Sequence, residues 1–357
     1  MNLNKIPTTI VTGFLGSGKT TLLSQIIKNA QGKRIAVVVN EFGELDIDAD
    51  LIRNCPLPCD DETNNQASES GVYELANGCI CCTVEEEFLP VMQQLVERRD
   101  QIDHILIETS GLALPKPLVQ AFNWPEIKNH CTVDSVITVV DGPAVANQRY
   151  AHDPELVAQQ RLADDNLDHD PSLKELLDDQ LSSADLVLIS KNDLLADHEQ
   201  QKVKTFIQNT IANEVKILPM INGDIDARLI LGIGAATEQR IEHIHTHHDH
   251  HHAHHEEHHH AHDAFCSVSI QLPEVNSQRL QDTIKQLISD HNIYRVKGFV
   301  AVHGKPMRQV IQAVGPRLET YFDRLWQANE TKASRLVFIG KTLDQATIEQ
   351  SLLSATV

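Results

Sequence analysis

The amino-acid sequence predicts an α/β fold, with a mostly parallel sheet and flanking helices, followed by a small C-terminal α+β domain of ferredoxin-like proportions. Two observations carry this prediction. Short apolar, β-branched segments alternate with polar segments of helical length, which is typical of parallel strands joined by helices. A histidine-rich tract then interrupts the pattern, and shorter strand and helix patterns resume after it.

The histidine-rich tract divides the chain into a first domain over residues 1–235, a linker over 236–263 and a C-terminal domain over 264–357. A chain of 357 residues is long enough for two domains that each have a core. Its formal charge of −20 argues against nucleic acid or an anionic membrane as a partner. The N-terminus lacks a signal-peptide pattern and no apolar run reaches membrane-spanning length, so we expect a soluble, cytoplasmic protein.

The first strand, predicted over residues 8–11, leads into a complete G-x-x-x-x-G-K-[ST] motif at a strand-to-helix junction. Such glycines turn backbone N–H groups inward to cradle phosphates, and the following helix directs its positive N-terminus at them. The lysine of the motif reaches the β- and γ-phosphates, and the threonine hydroxyl binds Mg²⁺. The nucleotide-binding residues predicted from this motif are Gly13, Gly16, Ser17, Gly18, Lys19, Thr20 and Thr21.

The second strand is predicted over residues 34–39, and Asn40 and Glu41 follow it directly. A carboxylate at the carboxyl end of a strand, in a sheet that binds nucleotide there, is placed to meet Mg²⁺ or a second metal. We therefore predict Glu41 as a metal ligand in a nucleotide-sensing segment. The alternative is that Glu41 is a solvated loop acid.

Three cysteines in four residues, Cys79, Cys81 and Cys82, predict a site for a soft or borderline metal such as zinc or cobalt. Seven cysteines, clustered and odd in number, do not form the pattern of a disulfide framework. The alternative is that all three are buried structural cysteines. That alternative requires side chains of adjacent residues to face the same core. Cys55 and Cys59 lie in a polar loop before this cluster, where a further metal site or a cover for the first one is one interpretation. Their spacing matches no ligand motif, and a loop insertion with incidental thiols explains them at least as well.

The strand predicted over residues 102–107 ends in Glu108-Thr-Ser-Gly111, which is similar to the D-x-x-G segment of GTPases with glutamate in place of aspartate. In that segment the acid holds Mg²⁺ through water, while the glycine N–H senses the γ-phosphate. The sequence therefore predicts that Glu108 acts in catalysis and metal binding, together with Lys19 and Thr20. Gly111 is predicted to contact the nucleotide.

Ser190-Lys-Asn-Asp193 follows another apolar strand and approximates the N-K-x-D signature of guanine binding. Asp193 is expected to accept hydrogen bonds from guanine N1–H and N2–H₂, and Lys191 to lie along the base. Ser190 stands where the signature has asparagine. The alternative is a solvated loop at a strand end.

Residues 243–262 hold 13 of the chain's 20 histidines, interleaved with acidic residues. Neutral imidazoles bind zinc, nickel, copper and cobalt, so this tract is predicted to collect such metals. A purely solubilising linker is the alternative. In the C-terminal domain we find no catalytic motif, and we interpret Cys266 and His303 as core or surface residues.

Together the P-loop, the C-x-C-C cluster, Glu108-Thr-Ser-Gly111 and Ser190-Lys-Asn-Asp193 resemble the CobW family of metal-associated P-loop GTPases. The segments from Ile107 to Pro115 and from Ala121 to Pro125 are similar to the cobalamin-synthesis branch of that family. The resemblance implies a GTP-hydrolysing metallochaperone with GTP and Mg²⁺ as cofactors. It also implies Co²⁺ or Zn²⁺ as cargo, delivered to a metal-requiring client that is expected to be the cobaltochelatase of aerobic cobalamin synthesis.

We interpret these motifs as a linkage cycle in which Mg²⁺-GTP orders the cysteine site and hydrolysis loosens it. Such a protein is expected to be a monomer or a metal-dependent homodimer. Two other classes of function are compatible with parts of the sequence. One is a zinc-handling GTPase chaperone or a metal buffer or store, and in the buffer the nucleotide only aids folding. The other is a small-molecule kinase, for which no acceptor pocket or base is evident.

Overall fold

The computed structural model describes residues 4–30, 32–39, 72–74, 88–151, 153, 173–212, 214–231, 265–327 and 330–357. The chain divides into two compact units. The first comprises Met1–Leu231 and Val314–Arg317, and the second comprises Gly232–Ala313 and Leu318–Val357. Within the described ranges, no helix combines the length and the apolar character needed to cross a membrane.

The first unit is built on a seven-stranded sheet with the order β3-β2-β4-β1-β5-β6-β7, in which every neighbouring pair is parallel. The strands are β1 (Ile6–Thr12), β2 (Ile35–Val39), β3 (Val72–Glu74), β4 (His104–Glu108), β5 (Cys131–Asp141), β6 (Leu186–Ser190) and β7 (Lys216–Pro219). Every residue of β2, β5 and β6 is buried, as expected where helices cover both faces of a parallel sheet. The predicted α/β fold is confirmed.

Helices connect these strands and cover the sheet. They are α1 (Lys19–Lys28), α2 (Leu89–Glu97), α3 (Pro115–Ala121), α4 (Pro125–Lys128), α5 (Gly142–Ala146), α6 (Leu173–Ser182), α7 (Asp197–Thr210) and α8 (Ala227–Leu231). Pro90 lies in the first turn of α2, where a missing backbone N–H costs no hydrogen bond. The proline therefore begins this helix and does not interrupt it.

The second sheet has five strands in the order β11-β10-β9-β12-β8, and β12 pairs antiparallel with both β8 and β9. Its elements are β8 (Cys266–Leu272), α9 (Ser277–Asp290), β9 (Ile293–Ala301), β10 (Met307–Val314), β11 (Arg317–Leu325), β12 (Ser334–Gly340) and α10 (Gln345–Leu353). Leu280, Ile284 and Leu287 of α9 are buried against this sheet. The α+β character is confirmed, and β11 is a strand that the sequence pattern did not predict.

Candidate functional site

Four neighbouring strands of the first sheet end at one edge, in the order β4-β1-β5-β6. The register pairs Val11 of β1 with Glu108 of β4, and Asp141 of β5 with Ser190 of β6. Since the strands are parallel, the segments that follow their carboxyl ends lie side by side, which is where α/β sheets bind ligands. The fold thus brings the G-x-x-x-x-G-K-[ST] motif, Glu108 and the Ser190–Asp193 segment to one edge.

The loop between β1 and α1 has the backbone of a phosphate cradle. Gly13, Gly16 and Gly18 have φ angles of 140°, 70° and 100°, which residues with side chains rarely adopt. Gly18 is the N-cap of α1 without a side-chain cap, and the first turn of α1 has no acidic residue. The positive end of the helix dipole is therefore not neutralised by a side chain of the cap or the first turn, and it is available to an anion.

Ser17 adds a polar atom to this loop. Its side chain is 1% exposed, and the hydroxyl has no hydrogen-bond partner within the described part of the chain. Buried hydroxyls nearly always have a partner, so an unpaired one at a phosphate-binding loop is consistent with a polar ligand at this position.

Lys19 and Thr20 begin α1 directly after this loop, and Glu108 of β4 contacts Thr20. The buried Lys19 donates from Nζ to the Phe14 carbonyl oxygen over 3.1 Å. The Thr20 hydroxyl donates to Glu108 Oε1 over 3.1 Å. A hydroxyl and a carboxylate in contact are the kind of hard oxygen donors that Mg²⁺ prefers. Of the three residues predicted to act in catalysis, Thr20 and Glu108 are therefore in contact, and Lys19 precedes Thr20 in the chain.

Gly111 lies close to the phosphate loop. A β-carbon at this position would be 2.6 Å from the Leu15 backbone nitrogen, so only glycine permits this approach. Gln180 of α6, which is 0% exposed, donates from Nε2 to the carbonyl oxygens of Gly111 and Ala113 over 3.2 and 3.3 Å. The segment after Glu108 is thus held between the phosphate loop and a buried amide.

The loop after β6 carries the two residues predicted to contact the base. Lys191 has a φ of 53°, an uncommon conformation for a residue with a side chain, and such conformations cluster at functional sites. Asp193 is exposed and lies in the 3₁₀ turn Asn192–Leu194. The Ser190 hydroxyl donates to the Val140 carbonyl oxygen over 3.2 Å, which links the carboxyl ends of β5 and β6.

Several predicted metal-binding residues lie outside the described ranges: Glu41, Cys55, Cys59, Cys79, Cys81, Cys82 and the histidine-rich tract 243–262. The strands that precede them are described. Val39, the last residue of β2, pairs with Glu74, the last residue of β3, and with Glu108, the last residue of β4. Glu41 is the second residue after Val39 in sequence, and Cys79 is the fifth after Glu74.

Among the described residues, no group of three or more histidine, cysteine, aspartate or glutamate side chains is arranged to hold a metal ion. Cys131 is 1% exposed, and burial raises the pKa of its thiol to about 12. Cys266 is half-buried and directs its thiol at the Gly340 carbonyl oxygen over 3.5 Å.

Cys131 is expected to be inert to thiol reagents in the folded protein. With a pKa of about 12, only about one thiol in ten thousand is ionised at pH 8, and the thiolate is the reactive form. Titration of native Cys131→Ala with Ellman's reagent should give the same number of reactive thiols as the parent protein. After unfolding in urea the variant should show one thiol fewer. A lower count in the native variant would contradict the burial.

Two residues of this edge were missed by the sequence interpretation. Asp141 ends β5 and precedes Gly142-Pro143, a pattern that indicates a helix N-cap, and its carboxylate does accept from the Ala144 N–H over 2.8 Å. Gln180 carries no sequence signal, since a glutamine in an amphipathic helix is ordinarily solvated.

Comparison with known proteins matches two parts of the chain to described families. Residues 7–219 match the family described as CobW/HypB/UreG, nucleotide-binding domain. Residues 265–356 match the family described as cobalamin synthesis protein CobW, C-terminal domain.

The chain is 53% identical to a Pseudomonas aeruginosa protein named zinc chaperone CobW, over 99% of this chain and 92% of that protein. It is 43% identical to a Sinorhizobium protein of the same name, over 98% and 97% of the two chains. Among solved structures, the Zn(II)-bound YjiA GTPase of Escherichia coli matches 99% of this chain and 100% of that chain, with 23% identity and a TM-score of 0.42.

Proposed function

The chain belongs to the CobW/HypB/UreG family of nucleotide-binding proteins, and from this premise we propose that it couples GTP hydrolysis to the binding and release of a transition-metal ion. It is a GTPase of that family and a metal chaperone in the broad sense. The observation that carries the proposal is the common sheet edge of β1, β4 and β6. It brings together the predicted phosphate loop, a glutamate beside a threonine hydroxyl, and the predicted base-binding loop.

The phosphates are proposed to bind in the loop from Gly13 to Thr21, and the base between Lys191 and Asp193. The backbone N–H groups of the loop and the N-terminus of α1 bind the phosphate oxygens, and Lys19 neutralises charge on the β- and γ-phosphates. Gly111 offers its N–H to the γ-phosphate. Asp193 accepts from the guanine edge, which adenine cannot match in that arrangement.

The donor set beside the phosphate loop fits Mg²⁺. The Thr20 hydroxyl and the Glu108 carboxylate are 3.1 Å apart, and oxygen atoms of these two kinds bind Mg²⁺ in phosphoryl-transfer sites. When bound there, Mg²⁺ would neutralise charge on the phosphate oxygens. Thr20 and Glu108 are the residues that would hold it.

Loss of the γ-phosphate is proposed to be transmitted through Gly111. Its backbone is held by Gln180 and packs on Leu15, so the segment after Glu108 has contacts on both sides. With the γ-phosphate present, the Gly111 N–H gains a charge-assisted partner; after hydrolysis the segment retains only its protein contacts. We propose this segment as the two-state element that a nucleotide switch requires.

The metal cargo is proposed to bind Cys79, Cys81 and Cys82, with Glu41 as a further ligand. Support comes from the register of β2, β3 and β4, in which Val39 lies between Glu74 and Glu108. Glu41 follows Val39 by two positions in the sequence, and Cys79 follows Glu74 by five. Thiolates favour zinc and cobalt over magnesium. The cargo metal therefore selects the cysteines, and the Mg²⁺ cofactor selects the oxygen donors beside the phosphate loop.

Zinc is proposed as the first cargo, supported by relatives of 53% and 43% identity that are named zinc chaperones. Cobalt is the second candidate, and delivery to a cobaltochelatase remains a prediction from the family resemblance. The chain is proposed to act in the cytoplasm, as a monomer or as a dimer formed when metal binds. Light scattering with and without zinc distinguishes the two.

Zinc affinity is expected to depend on the bound nucleotide. With a slowly hydrolysed GTP analogue, the tight site should bind zinc about 10³-fold more strongly than with GDP, which corresponds to about 4 kcal/mol of coupling. Competition titration against a chromophoric chelator measures this ratio, repeated with Co²⁺ and Ni²⁺. Replacing the three clustered cysteines with serine should abolish the tight site in both nucleotide states.

A variant without residues 243–262 is the matched control, since it loses histidine ligands and keeps every proposed nucleotide contact. The tight, nucleotide-dependent site should survive this deletion, which would identify the tract as a collector. Equal zinc affinity in the GTP-analogue and GDP states would refute the switch and favour a metal buffer.

A further inference from the structure

Lys191 is held at its terminal amine by two partners on different elements. Its Nζ donates to the Gly16 carbonyl oxygen over 2.9 Å and to Asp141 Oδ2 over 2.6 Å. The first partner belongs to the phosphate loop, and the second ends β5. One side chain therefore joins the predicted base-binding loop to the predicted phosphate-binding loop.

The carboxylate of Asp141 is itself held in place. Its side chain is 1% exposed, against 29% for Lys191. Oδ1 accepts from the Ala144 N–H over 2.8 Å at the N-terminus of α5, while Oδ2 faces the ammonium group. Asp141 and Ser190 are paired across β5 and β6, which sets the distance between the carboxylate and the residue after Ser190.

We propose that Asp141 is a positioning residue for nucleotide recognition, which fixes the Lys191 side chain so that its aliphatic part forms the surface on which the guanine base rests. This inference rests on the proposed nucleotide site. Asp141 does not touch the nucleotide; it acts through Lys191. A lysine has four rotatable bonds, and two charge-assisted contacts at its end restrict them before the nucleotide arrives.

The positive φ of Lys191 supports this role. At 53°, the backbone of Lys191 is in a region that costs energy for a residue with a side chain. The contacts of Nζ with Gly16 and Asp141 offset that cost and hold the conformation. A lysine used only for solubility needs neither a strained backbone nor a buried carboxylate.

Asp141→Asn is the most direct test. With its single oxygen on the Ala144 N–H, asparagine presents its –NH₂ group to the Lys191 ammonium, so the cap persists and the acceptor of the charge pair is lost. Affinity for GDP, measured by calorimetry, should fall about tenfold. Affinity for tripolyphosphate, which has no base, should change less than twofold.

Two further variants make the test specific. Asp344→Asn is the matched control, because Asp344 caps α10 in the second unit by accepting from the Ala346 N–H, and its GDP affinity should equal that of the parent. In a Lys191→Met background, the Asp141→Asn change should have no additional effect on GDP affinity. If Asp141→Asn fails to fold, Asp141→Ser replaces it, since a serine hydroxyl also caps α5.

Equal loss of GDP and tripolyphosphate affinity would overturn the proposal, because it would indicate general damage to the phosphate loop. A tenfold loss that persists in the Lys191→Met background would overturn it as well. Failure of the proposed guanine site has a different signature: the parent protein would bind GDP no better than ADP. The coupling between Asp141 and Lys191 would still be decided by the same four-variant cycle.

Discussion

Lys19→Ala is expected to lower affinity for GDP and GTP by about two to three orders of magnitude and to reduce GTP hydrolysis to the limit of detection. The ammonium group is buried beside the phosphate loop and already donates to Phe14, so it is in place before the nucleotide binds. Hydrogen bonds to charged groups contribute about 1.5–3 kcal/mol each, and two such bonds account for an effect of this size.

Calorimetry with GDP and a phosphate-release assay measure both effects of Lys19→Ala. Lys28→Ala is the matched control, because Lys28 lies in the last turn of the same helix and is exposed. Its affinity and rate should equal those of the parent. Phosphate release by Lys19→Ala at the rate of the parent would contradict the assignment of this loop as the hydrolytic site.

Gly13→Ala is expected to destabilise the first unit by roughly 2–6 kcal/mol, from backbone strain and from overpacking. Gly13 has a φ of 140°, and a β-carbon there would collide with the Val139 carbonyl oxygen and lie 2.9 Å from the Ser17 hydroxyl. The colliding atom belongs to the backbone of β5 at the centre of the sheet, so it cannot move aside.

Urea unfolding monitored by circular dichroism measures the effect of Gly13→Ala. Gly32→Ala is the matched control: Gly32 also has a positive φ, of 79°, but nothing lies within 4 Å of the added carbon. Its cost should be limited to backbone strain of about 1–3 kcal/mol. Equal destabilisation by the two variants would show that the close approach to β5 contributes nothing.

The parallel sheet was predictable because its strands are buried on both faces and therefore read as continuous apolar segments, as in β2 and β5. Strand β11 was missed for the opposite reason. It lies at the edge of its sheet, most of its residues are half-buried, and its sequence Arg-Leu-Glu-Thr-Tyr-Phe-Asp-Arg-Leu mixes charged and aromatic residues. Edge strands commonly carry charge, so their apolar pattern is weak.

In the site, the sequence predicted the residues that belong to local motifs. The P-loop spacing places Lys19 and Thr20, and the structure brings Glu108 to them. Asp141 and Gln180 were not predictable in their roles, because their partners Lys191 and Gly111 lie 50 and 69 residues away in sequence. Which strands become neighbours decides those contacts, and sequence order alone does not determine that.

Because β1 lies at the centre of its sheet, the phosphate loop is completed late during synthesis. Thr9 hydrogen bonds with His104 and Ser135, which are 95 and 126 residues further along the chain. At translation rates of roughly 5–20 residues per second, the ribosome adds these partners only after many seconds. Gly13 packs on Val139, so nucleotide binding must wait for β5. The proposed metal ligands Cys79, Cys81 and Cys82 are synthesised before that point, so we expect their first encounter with metal ions to occur without control by a nucleotide.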